Sequence, residues 1–249
     1  MFPIRDHNPS SRTPFVTYAL IAVNVLVFLG YMDHFNNDYA LAAFFDRYAL
    51  IPAHIAQGRD YDTLFTTMFM HAGLMHLAGN MLFLWIFGDN MEDAMGHVGF
   101  ALFYLASGLA ASLAHVIAAP WSEVPTVGAS GAIAGVMGGY LLLYPKAKID
   151  ILFIFIIFFR IFAIPAWAML GVWFLLQLVS GSAADASMGG VAYWAHAGGF
   201  IAGFALTMPI WLRRGGPGYW SRTHGLPPNP EAKYAFARSS IPIVRRRRK

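Results

Sequence analysis

Four polar residues in this chain stand at the starts of apolar stretches, where a polar side chain is costly. Ser130 lies in "TVGASGAIAGVMGGY", between Gly128, Ala129 and Gly131. His196 lies in "YWAHAGGF", and His76 and Asn80 lie in "HAGLMHLAGN". A serine hydroxyl is a weak nucleophile until a neighbouring base takes its proton, and neutral imidazole can do so near neutral pH. His196 is the natural base for Ser130. Attack on an amide carbonyl creates a tetrahedral oxyanion that needs preorganised donors. His76 and Asn80 are four apart, hence on one helix face, and both can donate. The backbone N–H of Ser130, at a helix N-terminus, is a third donor with a favourable dipole. No acidic residue is near enough in sequence to nominate as a third triad member, so the sparser assignment is a Ser–His dyad. Taken singly, each residue has a plainer role: serines often bond between membrane helices, His196 could be a polar anchor, and His76 and Asn80 could bridge helices. What separates the two possibilities is whether the four share one depth.

That question turns on the elements that carry them. Of 249 residues, 57% are apolar types and 12% are charged, about half the charged fraction of a soluble domain. The apolar residues come in blocks, several approaching the ~20 residues that cross a bilayer core. The expected fold class is therefore all-α: a polytopic bundle of six transmembrane helices, at about 15–32, 75–87, 98–119, 130–144, 165–180 and 193–212. Residues 1–14 form a cytoplasmic N-terminal segment, too polar for a signal peptide. Residues 15–212 form the membrane domain. Residues 213–249 form a basic tail, Pro/Gly-rich in its first half and expected to be poorly ordered. The stretch 149–165, "IDILFIFIIFFRIFAIP", is also apolar, but Arg160 interrupts it and β-branched residues and Phe dominate it. It reads as a membrane-embedded or interfacial hairpin rather than a seventh span.

Charge sets the orientation. With the N-terminus inside, the inner segments hold fifteen of the seventeen Lys and Arg residues, leaving only Arg47 and Arg59 outside. That agrees with the positive-inside rule, whereas a seventh span would place the terminal "RRRRK" outside. The second, fourth and sixth spans then all begin at the outer face, so His76, Asn80, Ser130 and His196 share one depth. Polar groups within spans usually face the bundle interior or a water-filled cavity. "GASGAIAGVMGG" and the Gly199/Gly203 pair in "HAGGFIAG" put small residues where two membrane helices can pack closely. Spans four and six are therefore expected to bring Ser130 and His196 together.

The remaining polar residues point elsewhere. No HExxH occurs and the chain has no cysteine, so no metal ligands are nominated and no thiolate site exists. His71 does not share a helix face cleanly with His76 and reads as loop-fixing. Glu92 and Asp93 read as helix-capping groups at an inner turn. The loop 181–192, "GSAADASMGGVA", is expected to be a mobile lid acting with the fifth span. The polybasic tail reads as a partner for anionic lipid, not for nucleic acid. Without an internal repeat, a small transporter finds no support.

These motifs resemble the rhomboid intramembrane serine proteases. "GASG" matches the family's GxSG nucleophile motif through Ser130, "AHAGGFIAG" the histidine-bearing last core helix through His196, and "HAGLMHLAGN" the second-helix motif. "GDNMEDAMG" matches a GxxxExxxG turn through Gly88, Glu92 and Gly96. The four occur in family order between about 15 and 212. The resemblance implies an endopeptidase that cuts transmembrane protein substrates in or near their membrane spans within the lipid bilayer. Ser130 and His196 would be catalytic and His76 and Asn80 would form the oxyanion hole, with no cofactor. It also admits a non-catalytic membrane-protein binder on the same scaffold, though such relatives lack the serine or the histidine. One departure is clear: Asp62-Thr63 stand where many members carry Trp-Arg. The compact length fits a multi-pass protein of a bacterial plasma membrane with both termini cytoplasmic.

Overall fold

The computed structural model describes residues 2–155, 158–183 and 191–232. Helices account for most of them. α1 is Phe15–Tyr31, followed by a 3-10 turn, Met32–Asn36. Three short helices follow, α2 (Asp38–Tyr48), α3 (Pro52–Ala56) and α4 (Thr63–Thr66). α5 (Leu74–Met95), α6 (His97–Ala118), α7 (Ser130–Leu143), α8 (Ala166–Ala183) and α9 (Tyr193–Arg213) complete the bundle.

Each of the six expected blocks contains a helix, but six full spans are not established. Four helices are long and apolar enough to cross a bilayer: α1 with its 3-10 turn, α6, α8 and α9. A fifth candidate is a bent pair, in which Thr63–Phe69 meets α5 at 91°. α7 has only 14 residues, about 21 Å of helix against a core of about 30 Å. Its short length is compatible with its position, because nearly all of it, from Gly131 to Leu143, is buried by neighbouring helices. A helix wrapped in protein need not reach both membrane surfaces. The irregular backbone before it is tolerated at depth where it lines a cavity.

Glycines set how closely α7 meets α9. A Cβ on Gly199 would run into the Gly131 carbonyl, one on Gly203 into the Gly135 carbonyl, and one on Gly138 into the Phe200 carbonyl. The two backbones are therefore in direct contact along the faces that begin with Ser130 and His196, as the small-residue spacing led us to expect.

The all-α expectation needs a correction. The stretch after α7 forms a β-hairpin, β2 (Lys148–Phe155) and β3 (Phe158–Pro165). The N-terminal residues Phe2–Asp6 add a strand, β1, to give an antiparallel sheet in the order β1-β2-β3. The hairpin was expected; its third strand was not. β1 is held by polar contacts too distant in sequence to anticipate. Arg5, opposite Asp150 in the register, donates from Nε at 2.7 Å, and His7 Nε2 lies 2.8 Å from the same carboxylate. Since β2 follows the end of α7, the sheet lies at the end remote from Ser130.

The expectation of a poorly ordered tail also fails for its first part. Pro217–Thr223 form α10, with Tyr219 buried and Trp220 Nε1 donating to the Leu142 carbonyl at 3.0 Å. Two aromatic rings find a face at the end of the bundle where α7 stops, and that outweighs the local Gly and Pro content. The basic residues beyond 232 and most of the expected lid, 184–190, lie outside the described residues.

Glu92 behaves as a capping group, but for a helix other than its own. α1 begins after Pro14 with no side-chain cap. Glu92 of α5 accepts instead from the backbone N–H groups of Val16 (2.9 Å) and Thr17 (2.8 Å) and from the Thr17 hydroxyl. Asp93 accepts from the backbone and hydroxyl of Ser11.

Candidate active site

α7 begins at Ser130 because Gly128 and Ala129 turn the chain into it. Gly128 has φ +135°, a conformation side chains rarely adopt. A Cβ there would also sit 3.0 Å from the His76 ring and 3.3 Å from Ser130 Oγ. Glycine is thus required twice at this position, by the backbone and by the two side chains it separates. Its N–H is anchored to the Thr67 carbonyl at 3.0 Å.

Ser130 Oγ lies 2.7 Å from His196 Nε2, a pairing of α7 with α9 that the glycine interface makes possible. His76 and Asn80 come from the first two turns of α5 and join them around one cavity of about 460 Å3, which Gly128 and Trp173 also line. The structure therefore brings together all four residues singled out in the sequence. Their surroundings bear on chemistry. Ala72 N–H approaches His76 Nδ1 at a long 3.4 Å, which leaves Nε2 as the protonated nitrogen. Asn80 is buried, and its Nδ2 is an amide donor with no partner among the described residues. The Ser130 N–H belongs to the first turn of a helix, whose N–H groups have no intrahelical acceptor.

His71 stays out of this group. It is fully buried: its ring packs edge-on against that of His76, centroids 5.2 Å apart, and Tyr31 Oη donates to its carbonyl at 2.7 Å and receives its N–H at 2.6 Å. That clamp ties the turn before α5 to the end of α1. His115 is likewise engaged apart from the pair, its Nε2 3.0 Å from Thr126 Oγ1.

Residues 58–213 match the family model for the Rhomboid domain. The chain belongs to the rhomboid family. It is 32% identical over 199 residues to Rhomboid protein 1, mitochondrial, of Saccharomyces cerevisiae, covering 76% of this chain and 51% of that one. It is 38% identical over 130 residues to Rhomboid protease GluP of Bacillus subtilis, covering 51% of this chain and 24% of that one. RHOMBOID-like protein 6, mitochondrial, of Arabidopsis thaliana is 39% identical over 87 residues, 35% of this chain and 28% of the relative. The matched part thus spans about half or less of these relatives' lengths. Rhomboid membership carries with it an intramembrane-protease-like fold in a membrane protein with several apolar helices.

At the position where many rhomboids have Trp-Arg, Asp62 makes an exposed 2.9 Å pair with Arg47 of α2, and Thr63 is buried with its hydroxyl on the Asp60 carbonyl. The residue before α4 is thus tied to α2 by this pair.

Two contacts to His196 escape sequence reasoning. Gln177 Oε1 lies 2.9 Å from its Nδ1, and the Trp173 ring packs on the imidazole with centroids 5.8 Å apart. Both come from α8. A search for an acidic third member passes over an amide in an apolar helix. The available signal was that Trp173 and Gln177 stand four apart on one helix face.

Proposed function

We propose that this rhomboid is an intramembrane serine endopeptidase that hydrolyses peptide bonds in or near the transmembrane segments of membrane proteins. The observation that carries this is the 2.7 Å Ser130 Oγ–His196 Nε2 pair opening on a cavity that Asn80 also lines, its Nδ2 without a partner among the described residues. A buried donor without a partner costs about 1–3 kcal/mol, a cost that is intelligible where an oxyanion will form.

The steps follow from these positions. His196 Nε2 takes the hydroxyl proton as Ser130 Oγ bonds to the substrate carbonyl carbon, and the C=O electron pair moves onto oxygen. His76 Nε2–H, Asn80 Nδ2–H and the Ser130 backbone N–H surround that oxyanion. Its collapse breaks the C–N bond as His196 returns the proton to the leaving nitrogen. Water from the cavity, deprotonated by His196, then attacks the acyl ester and frees Ser130. No step calls for a cofactor.

The substrates fitting such a site are transmembrane proteins whose helix can unwind at that depth. The distribution of Lys and Arg supports an orientation with both ends cytoplasmic. The test is cleavage of a model membrane substrate by purified wild type and Ser130→Ala in liposomes, with fluorophosphonate labelling of each. The expected result is cleavage and labelling of wild type only. Equal cleavage by the two proteins would overturn the mechanism. Absence of both activities in folded wild type would leave the non-catalytic binder.

A further inference from the structure

We infer that Gln177 is the positioning residue that holds His196 in the tautomer able to act as a base, so that the working unit is Ser130–His196–Gln177. This rests on the endopeptidase proposed above and adds to it a third member, uncharged and supplied by α8.

The case is one of hydrogen-bond direction. Neutral imidazole has one N–H and one acceptor nitrogen, and only the tautomer with its proton on Nδ1 leaves Nε2 free to take the proton of Ser130. Gln177 Oε1, 2.9 Å from Nδ1, accepts that proton. The amide could in principle face the other way, presenting NH2 to Nδ1 and forcing the proton onto Nε2. A second contact opposes this. Gln177 Nε2 faces the Trp173 carbonyl, in its own helix one turn back, at 3.4 Å. Turned round, the amide would set oxygen against oxygen there and lose the donor. The i−4 carbonyl thus selects the amide orientation, the amide selects the tautomer, and the tautomer makes Nε2 the acceptor. Trp173 completes the hold by packing on the ring, so one face of α8 restrains both its plane and its proton.

Burial makes the amide a suitable choice. Gln177 is 8% exposed, and a carboxylate at this depth carries a desolvation penalty that its bond to the His196 ring offsets only in part. An amide oxygen accepts the same hydrogen bond without a net charge. α8 buries little else: apart from Gln177, only Ala166, Leu170 and Gly181 are buried along it. A polar residue among the few buried positions of a lipid-facing helix is therefore positioned for a contact, and its contact is the base.

The test is steady-state cleavage of one membrane substrate in liposomes by wild type, Ser130→Ala, Gln177→Met and Gln177→Glu, with melting temperatures measured alongside. Methionine keeps the length and apolar body of glutamine but has no amide; glutamate restores an oxygen acceptor. We expect Gln177→Met to lower kcat about 10- to 100-fold with KM within about twofold and the melting temperature unchanged. Gln177→Glu should recover at least about a third of the lost factor on a logarithmic scale. A wild-type kcat in Gln177→Met, a loss in Gln177→Glu equal to that in Gln177→Met, or a parallel fall of activity and melting temperature would overturn the assignment. Loss in Ser130→Ala with full activity in Gln177→Met removes Gln177 alone, whereas full activity in Ser130→Ala removes the endopeptidase mechanism and Gln177 with it.

Discussion

The carboxylate of Glu92, on α5, closes the N-terminus of α1 by accepting from the backbone N–H of Thr17 at 2.8 Å and from its hydroxyl at 2.7 Å. α1 has no capping side chain of its own, so the start of the first span is fixed by the helix that carries His76 and Asn80 at its other end. Close approach is helped by Gly88, where a Cβ would come within 3.0 Å of the Thr17 methyl.

Glu92→Ala removes the acceptor for the half-buried Val16 N–H, the buried Thr17 N–H and hydroxyl, and the His97 ring. It should lower stability by roughly 2–4 kcal/mol. Thermal denaturation in detergent is the measurement. An unchanged melting temperature would mean that water or lipid headgroups replace the cap.

Gly203→Ala should damage both packing and function. The new methyl group runs into the Gly135 carbonyl, and overpacking of this kind costs about 1–3 kcal/mol. The strain is relieved by moving α9 from α7, which lengthens the Ser130–His196 contact. We therefore expect a lower melting temperature together with a kcat reduced beyond what unfolding explains. Normal kcat in the folded fraction would show that the interface yields elsewhere.

Asn80→Ala separates catalysis from stability. Because Asn80 Nδ2 has no partner among the described residues, its removal should leave the melting temperature unchanged or slightly raised. Loss of one oxyanion donor should slow turnover by about 10- to 1000-fold. A normal rate would take Asn80 out of the oxyanion hole and leave that role to His76 and the Ser130 backbone.

Asp6 makes stability depend on pH. Burial pushes its carboxyl up to about 8, aided by the charge of Asp89 and opposed by the hydrogen bond from Tyr140. The fold therefore holds this proton more tightly than the unfolded chain does. The contribution is fully present below the ordinary value of 3.8 and is lost as pH rises through about 8. The melting temperature should fall between about pH 5 and pH 8.5, and Asp6→Asn should flatten that fall. An identical slope in the variant would assign it to other groups.

Much of the site was legible in the linear chain because its parts are short motifs at helix starts. Ser130 within "GASG", His76 and Asn80 four apart, and His196 before a glycine pair each announce themselves locally. The charge distribution leads to the expectation that these helix starts share one level, and the structure gathers them around one cavity. Less legible was how the spans are realised. α7 is too short to cross alone because it is enclosed by protein, and α5 is entered through a 91° bend. The partner strand of the hairpin was hidden for a different reason: Arg5 and Asp150 are far apart in the chain, and no periodicity links them.

By itself, then, the sequence determined the apolar blocks, the small-residue faces of α7 and α9, and the four polar residues that the structure gathers around one cavity. These follow from hydropathy, charge and side-chain size, all local properties. Tertiary structure alone decided what holds His196. Gln177 lies on another helix, 19 residues away, and an amide in an apolar segment has no local mark of function. Only the fold of α8 against α9 turns it into the acceptor for Nδ1, because hydrogen-bond direction is a property of atoms in space and not of residue order.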